Sequence, residues 1–172
     1  MIERPDKLNN HAIELASDGD FIGAIACFKR ALTLEGDNSL LWYNLGITYR
    51  DSGDLDNAVN SFVKAYNLSP DNEEIIEVLA TTYLHQNKYG AAKDYCFIGL
   101  ELNEVNAHLW NLLGVINFKQ EKYEDACEYF EAAVCINPYY EDAIFNLKDT
   151  YSELNNKTGV LECQKRLKEL NK

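Results

Sequence analysis

The side chains best suited to metal or nucleophilic chemistry are three histidines and five cysteines, and their spacing matches neither kind of site. The histidines lie far apart in the chain, at His11, His85 and His108. A zinc site needs three or four converging ligands, supplied in part by close pairs of Cys or His. The cysteines form no such pair: they are Cys27, Cys96, Cys127, Cys135 and Cys163. We therefore expect no metal and no cofactor.

Each of these cysteines falls inside an apolar helical pattern, where a thiol behaves as a small hydrophobic side chain. This placement predicts buried, reduced cysteines. Reduced cysteines are typical of cytoplasmic proteins, so we expect a cytoplasmic location.

Carboxylates are abundant but form no recognisable catalytic motif. The 172 residues include 28 Asp and Glu against 16 Lys and Arg, which gives a formal net charge of -12. No glycine-rich phosphate loop, nucleophile elbow or HExxH motif accompanies them. We therefore expect that the chain is not an enzyme. The surplus of acid also argues against nucleic acid and anionic membrane surfaces as partners.

The chain repeats itself every 34 residues. The segment 42–49 (WYNLGITY) recurs at 110–117 (WNLLGVIN), and apolar residues keep the same spacing midway, at 76–83. A second motif, Ala-x3-Phe-x2-Ala or a close variant, starts at Ala24, Ala58, Ala92 and Ala126. Two copies close with proline, at Pro70 and Pro138. A fixed period of this length is typical of stacked repeat proteins.

The order W-x2-LG-x2-Y, A-x3-F-x2-A and then P resembles the tetratricopeptide repeat (TPR). Residues 39–72 match at every one of these positions. The resemblance implies an all-α fold, a right-handed superhelical α-solenoid of five helix–turn–helix units in a single array over residues 1–172. The units are residues 5–38, 39–72, 73–106, 107–140 and 141–172, the last a degenerate cap.

The residues agree with this fold independently of the family. Trp42, Leu45 and Tyr49 lie on one face of a helix, and a turn follows at residues 52–54. Each unit is therefore predicted to be two antiparallel helices of about 12–14 residues. Gly46 is small where two helices must approach closely. A single hairpin cannot bury both apolar stripes, so five must stack.

Two departures from the repeat stand out. Lys148 replaces the small residue in the last unit, where we expect it to be tolerated because no helix pair follows. The helix after it is apolar on one side only, which is typical of a cap. Asn117 replaces the tyrosine in the fourth unit and has no evident reason in the sequence.

In the family that this chain resembles, the first helix of each unit lines a concave groove that holds a peptide. The corresponding face lies opposite the packing stripe. It predicts these groove residues: Asn9, Tyr43, Asn44, Ile47, Arg50, Glu77, Thr81, His85, His108, Asn111, Val115, Phe118, Phe145 and Asn146.

Two patterns on this face suggest how it binds. Asparagines occur in four units and can hold a peptide backbone whatever its side chains: Asn9, Asn44, Asn111 and Asn146. Apolar residues left over from the packing stripes favour a ligand with an apolar anchor: Tyr43, Leu112, Val115, Phe118 and Phe145. The alternatives are that asparagine is simply common here, and that the apolar residues are partly buried.

We predict a non-catalytic scaffold or adaptor that binds a protein or peptide in this groove. Groove acids favour a basic or neutral ligand, and a clamp for acidic C-termini is disfavoured because only Asn44 fits its pattern. The alternative is a structural protein that self-associates through stacking or groove docking, as a homo-oligomer. The last unit is neutral while the first four are acidic, so its final helix suits the acidic units of another copy.

Overall fold

The computed structural model describes residues 4–170, and the regular secondary structure in this range is α-helical throughout. Ten helices form five pairs, with 13 residues in each first helix and 14 in each second helix. The all-α repeat fold of five helical pairs is therefore confirmed. The helices are α1 Pro5–Ser17, α2 Phe21–Leu34, α3 Ser39–Asp51, α4 Leu55–Leu68, α5 Glu73–His85, α6 Tyr89–Leu102, α7 Ala107–Lys119, α8 Tyr123–Ile136, α9 Glu141–Glu153 and α10 Lys157–Leu170.

The helices belong to two compact units. Unit 1 is Met1–Asn87 and contains α1 to α5, while unit 2 is Lys88–Lys172 and contains α6 to α10. In unit 1, each of α1 to α4 packs against the next helix along the chain, and in unit 2 each of α6 to α9 does the same. None of the helices in the described range is both long and apolar enough to cross a membrane.

The turn within each pair passes through left-handed backbone. Gly19 and Gly53 have φ of 84° and 87°, and Asn87, Glu121 and Asn155 have φ between 56° and 58°. Glycine adopts this conformation without strain, and asparagine tolerates it better than most residues. The turn predicted at residues 52–54 is confirmed.

Side-chain caps fix where many helices begin. Asn38, Asn72 and Asn106 each accept a hydrogen bond from the backbone N–H three residues on, at the start of α3, α5 and α7. Asp20 and Asp54 do the same for α2 and α4. Each cap satisfies a backbone donor that the helix itself leaves unpaired. The repeat thus encodes its helix boundaries in polar residues as well as in its apolar stripes.

Glycine lets the two helices of a pair come into close contact. Gly46 packs against Phe62, and Gly114 packs against Phe130 in the same way. A Cβ on either glycine would lie 2.5 Å from a ring carbon of that phenylalanine. Both rings are buried and have no room to retreat. The prediction that Gly46 is small for close helix approach is confirmed.

Lys148 occupies the same position in the last pair, and the reason that the sequence suggested for it is wrong. The equivalent glycines face the second helix of their own pair rather than a following pair. In the last pair, exposed Gln164 replaces the phenylalanine, so the lysine meets no ring there. Instead its Nζ lies 3.8 Å from the centroid of the Phe145 ring and 3.1 Å from Asp149 Oδ1.

The cysteines are buried only in part, contrary to the prediction. Cys96 and Cys163 are buried, and Cys27 and Cys127 are partly buried. The prediction is wrong for Cys135, which is exposed in the last turn of α8. Its side chain faces an open cavity and is not packed between helices.

Asn117 has a role that explains its departure from the repeat. Its side chain is 2% exposed, and its Oδ1 accepts a hydrogen bond from Lys93 Nζ at 2.9 Å. Its Nδ2 donates to the Leu113 backbone oxygen at 2.8 Å. One repeat earlier in the register, Tyr83 takes the place of Asn117 and Val59 that of Lys93. A polar pair therefore links α6 to α7 at positions where α4 and α5 carry valine and tyrosine.

Candidate peptide-binding faces

The predicted groove residues lie on the first helices of the pairs. We call the predicted side of α1, α3 and α5 the inner face of unit 1, and that of α7 and α9 the inner face of unit 2. Unit 1 carries Asn9, Tyr43, Asn44, Ile47, Arg50, Glu77, Thr81 and His85. Unit 2 carries His108, Asn111, Val115, Phe118, Phe145 and Asn146.

Two hydrogen bonds cross the inner face of unit 1. Asn44 Nδ2 on α3 donates to Asn9 Oδ1 on α1 at 2.9 Å. The Tyr43 hydroxyl donates to Glu74 Oε1 at the start of α5 at 2.7 Å. Burial and this carboxylate both raise the pKa of Tyr43, so the phenol stays neutral and remains a donor. The three first helices of unit 1 are therefore tied together by their inner side chains.

The inner face of unit 2 repeats the asparagine contact three repeat lengths further along the chain. Asn146 Nδ2 on α9 donates to Asn111 Oδ1 on α7 at 3.0 Å. Asn111 Nδ2 in turn donates to the Tyr140 hydroxyl at 3.4 Å, and Asn111 is only 8% exposed. The two units thus share one device, an asparagine pair that joins neighbouring first helices.

This pairing changes the interpretation of the asparagines. They form two separate pairs, and α5 places Glu77 and Val78 at the corresponding positions. In each pair, the Nδ2 group of Asn44 or Asn146 is used in the hydrogen bond that joins the two helices. Across residues 4–170, the carbonyl oxygens of Asn44 and Asn146 accept no hydrogen bond, so both remain available as acceptors for a peptide N–H.

Half-exposed apolar side chains lie on these faces, among them Ile13, one turn after Asn9 on α1, and Leu40, one turn before Asn44 on α3, which is 57% exposed. Ile13 on α1 is 44% exposed and Phe145 on α9 is 50% exposed. Val115 and Phe118 are partly buried against the core of unit 2. The prediction is wrong for Leu112, which is buried, because α7 contacts α6, α8 and α9 and little of its surface remains free.

Some of the charged and polar side chains on these faces bond to residues of their own helix. Arg50 is paired with the neighbouring Asp51 at 2.9 Å, and the Thr81 hydroxyl donates to the Glu77 backbone oxygen. His85 and His108 are exposed and lie in different units. Within the described range, no three His, Cys, Asp or Glu residues are grouped to hold a metal ion. The faces offer amide groups and apolar side chains as possible contacts for a ligand.

The sequence reasoning missed Tyr140 as part of the inner face of unit 2. Tyr140 precedes α9, at the position where Asn38, Asn72 and Asn106 cap the earlier first helices. Its side chain makes no cap, and its hydroxyl accepts from Asn111 instead. The signal is present in the repeat register. Asparagine recurs every 34 residues just before a first helix, at Asn38, Asn72 and Asn106, and Tyr140 interrupts this series.

Comparison with known proteins agrees with this architecture. Two solved MamA structures have the same fold: one is 24% identical with a TM-score of 0.84, covering 99% of this chain and 96% of that chain. The other, from Desulfovibrio magneticus RS-1, is 20% identical with a TM-score of 0.87, covering 99% and 97%. YrrB, described as a TPR protein with an unusual peptide-binding site, is 23% identical with a TM-score of 0.74, covering 95% and 84%.

Sequence comparison identifies the family. A search of curated proteins finds no match. A family model described as the cytochrome c-type biogenesis protein H TPR domain matches residues 7–141, well over half of the chain. This protein therefore belongs to that family of tetratricopeptide-repeat domains.

Proposed function

We propose that this protein is a non-catalytic interaction scaffold whose inner faces bind a peptide or partner helix. The ligand is basic or neutral and carries an apolar anchor. The observation that carries the proposal is the pairing, in each unit, of a half-exposed apolar side chain with an asparagine amide. The description of YrrB as a peptide-binding TPR protein supports it. The proposal includes a cytoplasmic location, which the cysteine pattern favours.

The chemistry of binding follows from the two kinds of side chain. Ile13 lies one helical turn from Asn9, and Phe145 adjoins Asn146. The free carbonyl oxygen of Asn146 accepts a backbone N–H of the ligand, and that of Asn44 does so in unit 1. An apolar ligand side chain buried on Ile13 or Phe145 contributes roughly 1.5–3 kcal/mol. Exposed acids beside these groups favour a ligand without negative charge.

The test uses the apolar anchors, because replacing Asn44 or Asn146 would also break a contact between helices. Peptides are selected from a phage-displayed library of random twelve-residue sequences against the purified protein. Their affinities are then measured by fluorescence anisotropy for the wild type, Ile13→Ala and Phe145→Ala. Ile22→Ala is the matched control, since Ile22 is 84% exposed but lies on α2, away from the inner face.

We expect at least one inner-face variant to weaken binding of the selected peptides about tenfold, which corresponds to ~1.4 kcal/mol. The control should bind like the wild type, and all variants should keep the same helical circular dichroism. Selected peptides that bind both inner-face variants as tightly as the wild type would show that binding occurs elsewhere and overturn the proposal.

Self-association is the second candidate function, and a cavity formed by α9, α10 and the turn between them favours it. Leu161 on α10 is exposed and lines a cavity of about 400 Å³ together with Val160 and Tyr151. Lys157 and Gln164 surround it with polar and basic groups. Such a notch suits an acidic helix of a second copy. Sedimentation velocity at several concentrations decides the matter, because a monomer at every concentration excludes this role.

A further inference from the structure

A second kind of groove recurs in both units, on the side away from the inner faces. In unit 1 it lies between α2 and α4 with α3 as its floor, and its cavity is about 420 Å³. In unit 2 it lies between α8 and α10 with α9 as its floor, and its cavity is about 390 Å³. We call these the outer grooves. Leu45 and Tyr49 in the first floor correspond to Leu147 and Tyr151 in the second.

The outer groove of unit 2 uses its charged groups internally. Glu131 accepts a hydrogen bond from the Tyr151 hydroxyl at 2.6 Å and one from Cys127 Sγ at 3.4 Å. On the opposite wall, Arg166 pairs with Glu162 at 3.1 Å. These contacts satisfy the charges that a ligand would otherwise meet.

The outer groove of unit 1 has its walls and floor at the same repeat positions, but a lysine lines each wall, and the charge of Lys29 also acts on the Asp54 carboxylate. Lys29 stands where unit 2 has Glu131, and Asn60 stands where it has Glu162. Lys64 takes the position of Arg166 but has no acid beside it to pair with. Within the part of the chain that the structure describes, the side chains of Asn60 and Lys64 make no hydrogen bond or ion pair. Two ammonium groups therefore stand on opposite walls of the groove.

The floor between these lysines is apolar and aromatic. It is formed by Trp42, Leu45 and Tyr49, and Lys29 Nζ lies 5.7 Å from the centroid of the Tyr49 ring. In a chain of net charge -12, this is a local reversal of charge beside an apolar surface. A cavity of this volume falls in the range that encloses a few side chains.

We propose that the outer groove of unit 1 binds an acidic peptide segment of a partner protein. A ligand carboxylate lies between Lys29 and Lys64, and an adjacent apolar side chain packs on the floor. Asn60, one turn before Lys64 on α4, holds the ligand backbone. This ligand has the opposite charge to the one proposed for the inner faces, so this site does not depend on that proposal.

The probe is a fluorescein-labelled synthetic peptide in which glutamate alternates with leucine and phenylalanine, and glutamine replaces glutamate in its neutral counterpart. Anisotropy titrations compare the wild type with Lys64→Glu and Lys64→Gln. The matched control is Lys7→Glu, which makes the same change in net charge as Lys64→Glu on an exposed residue of α1. Circular dichroism checks that every variant is folded.

We expect the acidic peptide to bind the wild type and to lose at least tenfold in affinity with Lys64→Glu, and less with Lys64→Gln. Lys7→Glu should stay within twofold of the wild type, and the neutral peptide should bind at least tenfold more weakly. Ile13→Ala should leave this binding unchanged, which separates the two proposals.

Three outcomes would overturn the proposal. The first is an acidic peptide that does not bind, or binds Lys64→Glu as well as the wild type. The second is an equal loss with Lys64→Glu and Lys7→Glu, which would mean that net charge alone is responsible. The third is self-association of the wild type that Lys64→Glu abolishes, because the occupant would then be a second copy of this chain.

Discussion

At the scale of single residues, close helix contact in this fold depends on particular glycines and on the rings that fill the space above them. The Phe62 ring packs directly on Gly46, and the Phe130 ring packs on Gly114. Gly90, in the first turn of α6, has nothing within 4 Å of the place where a Cβ would lie. The same amino acid is therefore required at some helical positions and merely tolerated at another.

This contrast predicts opposite effects of the same substitution. In Gly114→Ala, the new Cβ would lie 2.5 Å from the buried ring of Phe130. We expect overpacking of about 1–3 kcal/mol to outweigh the gain in helix propensity of about 1 kcal/mol. Gly90→Ala should instead stabilise the protein by up to about 1 kcal/mol. Urea unfolding of the two variants checks this, and equal shifts in the same direction would contradict it.

At the scale of helices, the Lys93–Asn117 pair shows how one contact between elements departs from the repeat. Lys93 is partly buried in α6, and its ammonium group is held by the Asn117 side chain in α7. Burial lowers the pKa of Lys93, and the neighbouring charge of Lys122 acts in the same direction. The contact is therefore polar, specific and less favourable for the charged lysine than water is.

Two variants separate these effects. Asn117→Ala leaves the Lys93 ammonium without its acceptor, and we expect a loss of about 1–3 kcal/mol in the free energy of unfolding. The double variant Lys93→Val with Asn117→Tyr recreates the apolar arrangement of unit 1 and should be at least as stable as the wild type. Denaturant unfolding at neutral pH measures both, and a double variant as unstable as Asn117→Ala would contradict the explanation.

The pH dependence gives an independent check. Because the pKa of Lys93 in the folded chain lies below its usual value of 10.5, the unfolded chain binds more protons as the pH approaches that value. The contribution of Lys93 to stability therefore rises with pH over this window. Any stability advantage of the double variant over the wild type should accordingly shrink between pH 7 and pH 10.

These elements also show how much the sequence could predict. Helix lengths and the turn at residues 52–54 follow from local signals, namely the apolar stripe and the turn residues that interrupt it, so they were predicted correctly. The asparagine pairs were missed because Asn44 meets Asn9 at a separation of 35 residues, one more than the repeat. That offset depends on how neighbouring first helices rotate against each other, which a repeat register does not contain. Burial of Leu112 depends on the same packing.

At the scale of the whole molecule, the two proposed binding surfaces differ in the charge of the ligand that each would favour. In unit 1 both surfaces share α3: Tyr43 and Ile47 belong to the inner face, while Trp42, Leu45 and Tyr49 form the floor of the outer groove. Opposite sides of one helix would thus face the two proposed ligands. A scaffold built this way can hold a basic or neutral segment and an acidic segment at once.

The last prediction is that the two ligands bind unit 1 independently. Saturating the protein with an inner-face peptide should leave the affinity of the acidic probe within about threefold, because α3 is packed between neighbouring helices and neither site requires it to move. Added salt should weaken the acidic probe, since exposed charges are screened beyond about 8 Å at physiological ionic strength. Anisotropy of the acidic probe, with and without unlabelled inner-face peptide, measures both effects. Direct competition between the two peptides would show that they share one binding site, which would contradict the prediction. Binding that ignores salt would show that the floor, rather than Lys29 and Lys64, provides the affinity.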